Sequence, residues 1–281
     1  MRKLVLSALC LASIGIASYA ATFMQVKTTD GKIIEFDVES VEEVSYVKKD
    51  IPSSADTSSS LPYVDLGLPS GTLWASYNIG ATKPEEYGDY FAWGETTTKK
   101  RYSWKTYEFA FSINDDLEFI TKYNILGKYG EIDSLTTLLT EDDAAIANWG
   151  QEWRMPTSDE QKELCQECYK VWTYSYKGTD VSGVIFYKAK NAADKGIDVL
   201  SYDIPTLDYD YTDTHIFFPA AGYNGYEKVS DANETGTYWS SSVYDDSEAI
   251  VMGMARGKNP SRTISGARYL GLPIRAVRAQ K

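Results

Sequence analysis

The segment from Asn148 to Trp172, NWGQEWRMPTSDEQKELCQECYKVW, constrains the fold of this chain more than any other. Pro156 favours an extended conformation at the residue before it, Thr157 is placed to cap a helix, and Glu160 follows three residues later to complete a capping box. The spacing therefore predicts a helix that begins at Ser158. Apolar residues recur at i, i+1, i+4, i+7 and i+8, which indicates one buried face. They are Leu164, Cys165, Cys168, Val171 and Trp172.

Two cysteines fall inside this predicted helix, so a redox pair and half of a zinc site are alternatives to buried thiols. A redox pair places its first thiol at a helix N-terminus, whereas Cys165 and Cys168 come later, on the apolar face. Zinc would need two further ligands, and His215 is the only histidine in the sequence. We therefore interpret both cysteines as buried core thiols.

The first residues of the chain predict an export signal. Arg2 and Lys3 precede an apolar run over residues 4–17, and small residues follow at Ser18 and Ala20. We expect a signal peptide over residues 1–20 and export by the Sec route to the periplasm, the outer surface or the medium. The run is shorter than the roughly 20 apolar residues that span a bilayer, and no later segment is as apolar. The sequence thus predicts a protein that does not span the membrane.

The charge balance excludes one class of partner. The chain contains 40 acidic residues against 28 Lys and Arg, a formal net charge of −12. Such a chain repels phosphate backbones and anionic lipid headgroups. We therefore expect no nucleic-acid partner.

Alternation and composition divide the remaining chain into three parts. Residues 21–47 predict a small β-rich unit, because apolar residues alternate with polar ones on either side of an Asp30-Gly31 turn. Residues 48–60, KKDIPSSADTSSS, lack periodicity and indicate a flexible linker. Residues 61–281 then form the main domain.

The main domain is predicted to be α+β. Helical patterning is confined to the segment after Thr157 and to residues 141–148, and short strand signals are separated by turns rich in Gly, Asn, Asp and Ser. The first two strand signals lie on either side of a turn at Pro69 to Gly71. The later ones lie at Tyr90–Trp93, Gly183–Lys188, His215–Pro219, Tyr238–Ser241, Ala249–Met254 and Leu272–Val277. Many short strands beside one well-capped helix are typical of antiparallel sheets with long loops.

Five motifs in this domain resemble a known family. In order they are LPYVDLGLPSGTLWASYNIGATKPEEYGDYFAWGET, EDDAAIANWGQEWRMPTSDEQKEL, IFFPAAGYNGY, GTYWSSS and LPIRAVR. Together they are similar to the FISUMP, or major paralogous domain, family of exported proteins of Bacteroidetes-type bacteria. The resemblance covers about residues 61–278, apart from an insertion near residues 190–213.

The resemblance implies a C-type-lectin-like fold, distantly similar to formylglycine-generating enzymes and to the variable proteins of diversity-generating retroelements. In this fold the first and last strands pair, which would place Tyr63 to Leu68 beside Ile274 to Val277. The Glu-Pro-Asn and Gln-Pro-Asp triplets of sugar-binding C-type lectins do not occur in this sequence.

Several residues suggest chemistry, and each also has a structural explanation. Four aspartates in one loop could bind calcium, but the loop has neither a glycine nor a closing glutamate at useful spacing. They are Asp203, Asp208, Asp210 and Asp213. Formylglycine-type oxidation needs a reactive cysteine pair in the C-terminal half of the site, and no cysteine follows Cys168. His215 precedes an apolar strand, where a hydrogen-bonded structural histidine is expected. We therefore expect no enzyme activity, no metal and no cofactor.

Loop aromatics instead favour ligand binding. Tyrosine at loop tips supplies rigid contact area with a polar group, as recognition surfaces require. The candidate ligand-binding residues are Tyr223, Asn224, Tyr226, Tyr244, Asp245 and Arg256. Trp239, within the YWSSS sequence, is expected in the core.

The sequence leaves three functions open. The first is a surface-associated binding module for a glycan, a peptide or another cell-surface ligand. The second is a structural component of the envelope or of a surface assembly, with residues 21–47 docked to a partner. The third is a diversified variable protein of a diversity-generating retroelement.

Overall fold

The structure is a computed structural model that describes residues 23–27, 33–37, 61–201, 207–255 and 258–279. The chain divides into two compact units between residues 56 and 57. The predicted signal peptide, the linker at residues 48–60, Asp203 and Arg256 lie outside the described residues.

Among the described residues, strands predominate. They are β1 (Phe23–Lys27), β2 (Ile33–Asp37), β3 (Tyr63–Val64), β4 (Leu73–Ala75), β5 (Ala110–Ile113), β6 (Asp116–Ile120), β7 (Cys168–Thr173), β8 (Gly183–Lys188), β9 (Asp198–Ser201), β10 (His215–Pro219), β11 (Tyr223–Gly225), β12 (Lys228–Ser230), β13 (Thr235–Val243), β14 (Glu248–Ala255), β15 (Lys258–Ala267) and β16 (Val277–Arg278). The α-helices are α1 (Ala144–Trp149) and α2 (Ser158–Glu167), and short 3-10 turns lie at Trp104–Thr106, Thr140–Asp142, Tyr176–Gly178 and Ala192–Asp194. The fold class is α+β, as predicted.

The first unit contains the predicted hairpin. β1 and β2 pair antiparallel, with Phe23 opposite Asp37 and Val26 opposite Ile34. The predicted Asp30-Gly31 turn lies outside the described residues.

The capped helix begins where the sequence predicts. Thr157 accepts a hydrogen bond from the Glu160 amide at 3.2 Å, and the Glu160 carboxylate accepts one from the Thr157 amide at 2.9 Å. Arg154 adds a two-pronged ion pair to the same carboxylate, and Leu164 and Cys165 are buried on the core side of α2. These local bonds explain why the start of α2 could be predicted from sequence alone.

The predicted continuation of this helix is wrong. α2 ends at Glu167, and Cys168 begins β7, so Val171 and Trp172 lie on a strand. β7 is an inner strand of the sheet ordered β10-β8-β7-β9, and both of its faces are buried. A strand buried on both faces has a continuous apolar run, which periodicity alone does not distinguish from a helix.

The ends of the main domain lie in one sheet, but not as the resemblance implies. β3 and β16 both pair with β4, so that Val64 and Val277 flank Trp74. The turn closed by the Gly71 amide on the Leu68 carbonyl folds β4 back beside β3. The first and last strands are therefore not hydrogen-bonded to each other, and that expectation is wrong.

The C-terminal part of the chain forms a three-stranded sheet ordered β13-β14-β15. β14 pairs with β15 beyond the predicted strand signal at Ala249–Met254, since Ile250 lies opposite Ser265 and Ala255 opposite Lys258, with a register shift between Gly253 and Ala255. Conversely, the predicted strand at Tyr90–Trp93 is reduced to a single bridge between Phe91 and Leu272.

Two large apolar clusters form the core of this unit. Trp93, Trp153, Met155 and Trp239 belong to the first cluster. Trp74, Trp172, Leu164 and both cysteines belong to the second. The prediction that Trp239 is a core residue is confirmed, since its side chain is fully buried and its indole N–H donates to the Phe91 carbonyl.

Within the described part of the chain, no helix has the length and apolar character needed to cross a bilayer.

Candidate functional site

Three of the predicted binding residues lie together on the hairpin formed by β11 and β12. Tyr223 and Asn224 are in β11, and Tyr226 occupies the turn that follows it. Backbone hydrogen bonds hold this hairpin on both sides. The Asn224 amide donates to the Gly271 carbonyl at 2.7 Å, and the amides of Tyr102 and Tyr226 donate to each other's carbonyls at 2.6 and 2.8 Å. The position of Tyr226 is therefore set by chain segments distant in sequence.

Tyr226 is exposed and lies beneath an arginine. Its side chain is 52% exposed, and the Arg101 guanidinium lies 4.9 Å from the centre of its ring. Arg101 also lies 3.5 Å from carboxylate oxygens of Asp115 and Glu227. Exposed ion pairs of this kind contribute little stability, but together they orient the guanidinium over the ring. One guanidinium, one aromatic ring and two carboxylates thus lie close together on the surface.

Half-buried aromatic side chains surround this arrangement. Trp104 contacts Tyr269 edge to face, with ring centres 4.8 Å apart, and both pack on the first core cluster together with Tyr223. Burial raises the pKa of Tyr269, with a smaller contribution from the nearby Asp115 carboxylate. We call Arg101, Trp104, Tyr223, Tyr226 and Tyr269 the tyrosine platform. Tyr223 and Tyr226 were predicted from the sequence, whereas Arg101, Trp104 and Tyr269 were not, because no local pattern indicates which distant residues adjoin a hairpin tip.

Tyr244 and Asp245 occupy a separate turn, between β13 and β14. Tyr244 is 57% exposed. One carboxylate oxygen of Asp245 accepts hydrogen bonds from the Ser247 amide, the Ser247 hydroxyl and the Glu248 amide at 2.7 to 3.1 Å. Asp245 therefore shapes the turn itself, and Tyr244 is the freer side chain for contact with a ligand.

Arg256, another candidate residue, lies outside the described residues. β14 runs from Glu248, next to the Tyr244 turn, to Ala255. Seven steps along an antiparallel strand span about 24 Å. A small ligand at Tyr244 and Asp245 would therefore lie far from the position where β14 ends.

The described residues contain no group of three or more His, Cys, Asp or Glu side chains placed to bind a metal ion. In the acidic loop, Asp210 accepts from the Thr212 amide and hydroxyl, and Asp213 pairs with Lys190 at 2.9 Å. The carboxylates of Asp210 and Asp213 thus accept hydrogen bonds from neighbouring protein groups.

Cys165 and Cys168 are buried thiols, as predicted. Burial raises the pKa of the Cys168 thiol to about 12, and the neighbouring Cys165 makes a smaller contribution in the same direction. The nucleophilic form of cysteine is the thiolate, so Cys168 stays in its unreactive form at neutral pH.

His215 is hydrogen-bonded through both ring nitrogens. Nδ1 lies 2.7 Å from the Asp213 carbonyl, and Nε2 lies 3.1 Å from the Tyr176 hydroxyl. A carbonyl only accepts, so Nδ1 bears the proton and neutral Nε2 accepts from the tyrosine. This pairing matches the structural role predicted from sequence.

His215 should make the stability of the protein fall in mild acid. Burial lowers its pKa below the ordinary 6.5, with a smaller contribution from Lys177. The unfolded chain therefore binds a proton that the folded chain resists, so the free energy of unfolding decreases as pH falls through about 6.5 toward the lowered folded value. Urea unfolding at pH 7.5 and 5.5 should show a larger loss for the wild type than for His215→Gln, which does not titrate. Equal losses would contradict this assignment.

Comparison with protein families, curated proteins and solved structures finds no match for this chain.

Proposed function

We propose that this chain is an exported, surface-associated, non-catalytic binding module with a C-type-lectin-like fold of the FISUMP type. Its α+β architecture supports the fold, although β4 lies between the first and last strands of the main domain. Further support comes from the quoted motifs, whose large residues form the core. Trp74, Trp93, Trp239 and Arg275 are all at most 1% exposed. Motifs that specify a core leave the surface loops available for recognition.

The observation on which the binding function rests is the exposed Tyr226 ring beneath Arg101. A tyrosine loses little conformational entropy on binding, and here the backbone bonds to Tyr102 have already fixed its position. The other aromatic members of the platform, Trp104, Tyr223 and Tyr269, are half-buried and pack on the first core cluster. An anchored, partly exposed aromatic residue in such surroundings is the type of residue that contributes most to binding.

The chemistry of the platform suits a neutral or mildly polar ligand. An aromatic face accepts the apolar face of a sugar ring or a peptide side chain, while Arg101, Asp115 and Glu227 offer donors and acceptors at the rim. We therefore propose a glycan or a peptide at the cell surface as the ligand.

Replacing Tyr226 with alanine should weaken ligand binding about tenfold or more, which corresponds to about 1.4 kcal/mol or more of lost binding free energy. The wild type is first screened on a glycan array and a short-peptide array. The dissociation constant for the best ligand is then measured for the wild type and for Tyr226→Ala by calorimetry.

Tyr63→Ala provides a matched control. Tyr63 is 45% exposed and lies beneath Arg278, whose guanidinium is 5.2 Å from the ring centre, but it belongs to β3 and not to the platform. We expect the control to bind like the wild type. Equal weakening in both variants, or no binding by the wild type on either array, would refute the proposal.

A further inference from the structure

The hairpin of β5 and β6 has apolar side chains on both of its faces. Phe111 lies directly opposite Phe119, and Ile113 lies two residues beyond Phe111 on the same strand. Alternation along a strand therefore places all three side chains on one face. The other face includes Ile120, which is fully buried against the domain. The face with the two phenylalanines is thus the outward one.

The outward side chains are large and open to solvent. Phe111 is 59% exposed, Ile113 52% and Phe119 43%. An antiparallel ribbon with one solvated face normally has polar residues on that face. Isolated exposed apolar residues need no explanation, but a phenylalanine pair with an adjacent isoleucine forms a contiguous patch that indicates an interaction site. We call Phe111, Ile113 and Phe119 the hairpin patch.

Acidic residues border the hairpin patch. Residues 106–121 contain Glu108, Asp115, Asp116 and Glu118 but no Lys, Arg or His. Asp115 is paired with Arg101. Asp116, opposite Ile113, and Glu118, beside Phe119, form no ion pair with any described residue.

The basic residues on either side of the hairpin do not neutralise this charge. Lys122 forms an ion pair with Asp142, with 2.5 Å between its Nζ and a carboxylate oxygen. The Lys105 backbone amide donates to Asp115, and no described carboxylate pairs with its side chain. The patch is therefore apolar with a negative border.

We propose that the hairpin patch docks a partner protein through a segment in which apolar side chains are interspersed with Lys or Arg. The apolar residues would cover the phenylalanine pair, and the cations would pair with Asp116 and Glu118. A second copy of this chain is disfavoured because it would present the same carboxylates and has a net charge of −12. An anionic membrane is disfavoured for the same reason. This inference does not depend on the proposed function of the tyrosine platform.

A synthetic peptide of alternating Leu and Lys residues tests the proposal, with a Leu and Glu peptide as the charge control. Fluorescence anisotropy of each labelled peptide is measured with the full chain at about 0.15 M salt, where long-range attraction is screened. We expect the Leu/Lys peptide to bind and the Leu/Glu peptide not to bind. Phe111→Ser/Phe119→Ser should weaken binding about tenfold or more, because two exposed rings lose their apolar contact.

Two control variants separate docking from general attraction to an acidic protein. Ile197→Ser/Leu200→Ser removes two exposed aliphatic side chains at β9, 41% and 49% exposed, and should leave binding unchanged. Asp116→Lys/Glu118→Lys should weaken binding, whereas Asp180→Lys/Glu234→Lys changes the net charge equally at exposed positions elsewhere and should have a smaller effect. Thermal unfolding of each variant verifies that it is folded.

Three results would overturn the proposal. The first is equal peptide binding by the wild type and the phenylalanine variant. The second is self-association in sedimentation experiments that requires Phe111 and Phe119, which would indicate a second copy as the partner. The third is binding to phosphatidylcholine vesicles that requires the same residues, which would indicate a lipid surface.

Discussion

Replacing Arg268 with methionine should lower the free energy of unfolding by about 3–5 kcal/mol. Arg268 is fully buried, and its guanidinium lies 4.8 Å from the centre of the Trp93 ring. It donates to the backbone carbonyls of Tyr123 at 2.9 Å, Lys122 and Glu248 at 3.4 Å, and Asp245.

The physical reason is the loss of several buried hydrogen bonds at once. Methionine fills a similar volume but donates nothing, so the carbonyls of Lys122, Tyr123 and Asp245 lose this donor, whereas the Glu248 carbonyl keeps two backbone amides. Each buried acceptor without a partner costs about 1–3 kcal/mol. Burial lowers the pKa of Arg268, and a buried cation is costly unless hydrogen-bond acceptors surround it.

Urea unfolding followed by tryptophan fluorescence measures this effect. Arg101→Met is the control, because Arg101 also lies over an aromatic ring but its side chain is 42% exposed. We expect the control to change the free energy of unfolding by no more than about 0.5 kcal/mol. A loss below about 1 kcal/mol for Arg268→Met would mean that the carbonyls find other partners, and the assigned role would be wrong.

Replacing Gly222 with alanine should destabilise the protein by about 2–5 kcal/mol and displace the hairpin that presents Tyr226. Gly222 has a φ of +62°, and a Cβ there would lie 1.9 Å from the Ser230 carbonyl oxygen and 2.8 Å from the Ala232 amide nitrogen. Both contacts are with backbone atoms, which no change of side-chain rotamer can relieve. The chain must therefore separate at the base of the β11–β12 hairpin.

Gly150→Ala separates this clash from the cost of the backbone conformation. Gly150 has a φ of +88°, and a Cβ there would meet nothing within 4 Å. A positive φ costs an alanine about 1–3 kcal/mol, depending on ψ, so both variants include a cost of this kind and only Gly222→Ala adds the clash.

Hydrogen exchange measures the displacement directly. The amides of Asn224 and Tyr226 donate to Gly271 and Tyr102 in the folded protein, and they should lose protection in Gly222→Ala while remaining protected in Gly150→Ala. Unchanged protection in both variants would show that the hairpin accommodates the methyl group, and the prediction would fail.

Several features could be predicted from short stretches of sequence because neighbouring residues create them. The start of α2 depends on Thr157 and Glu160, three residues apart, and the structure confirms it. β8 and β10 occupy the predicted bounds, since their apolar runs are short and bordered by turn residues. Local hydrogen bonds and burial patterns act within a few residues, so the sequence displays them directly.

The remaining features depend on chain segments far apart in sequence. Val171 became part of a strand because β8 and β9 pair on both sides of it, which overrides a helical apolar spacing. Arg268 contacts carbonyls of residues 122 and 123, and Arg101 reaches Tyr226 across more than a hundred positions. The order of β3, β4 and β16 likewise depends on distant contacts. The turn at Leu68 to Gly71 places β4 beside β3, and β16, from the end of the chain, pairs with the other edge of β4. Caps, buried cysteines and the α+β class could thus be predicted from the chain itself, whereas the tyrosine platform and the outward phenylalanine pair follow from tertiary packing, because contacts between distant segments have no local pattern.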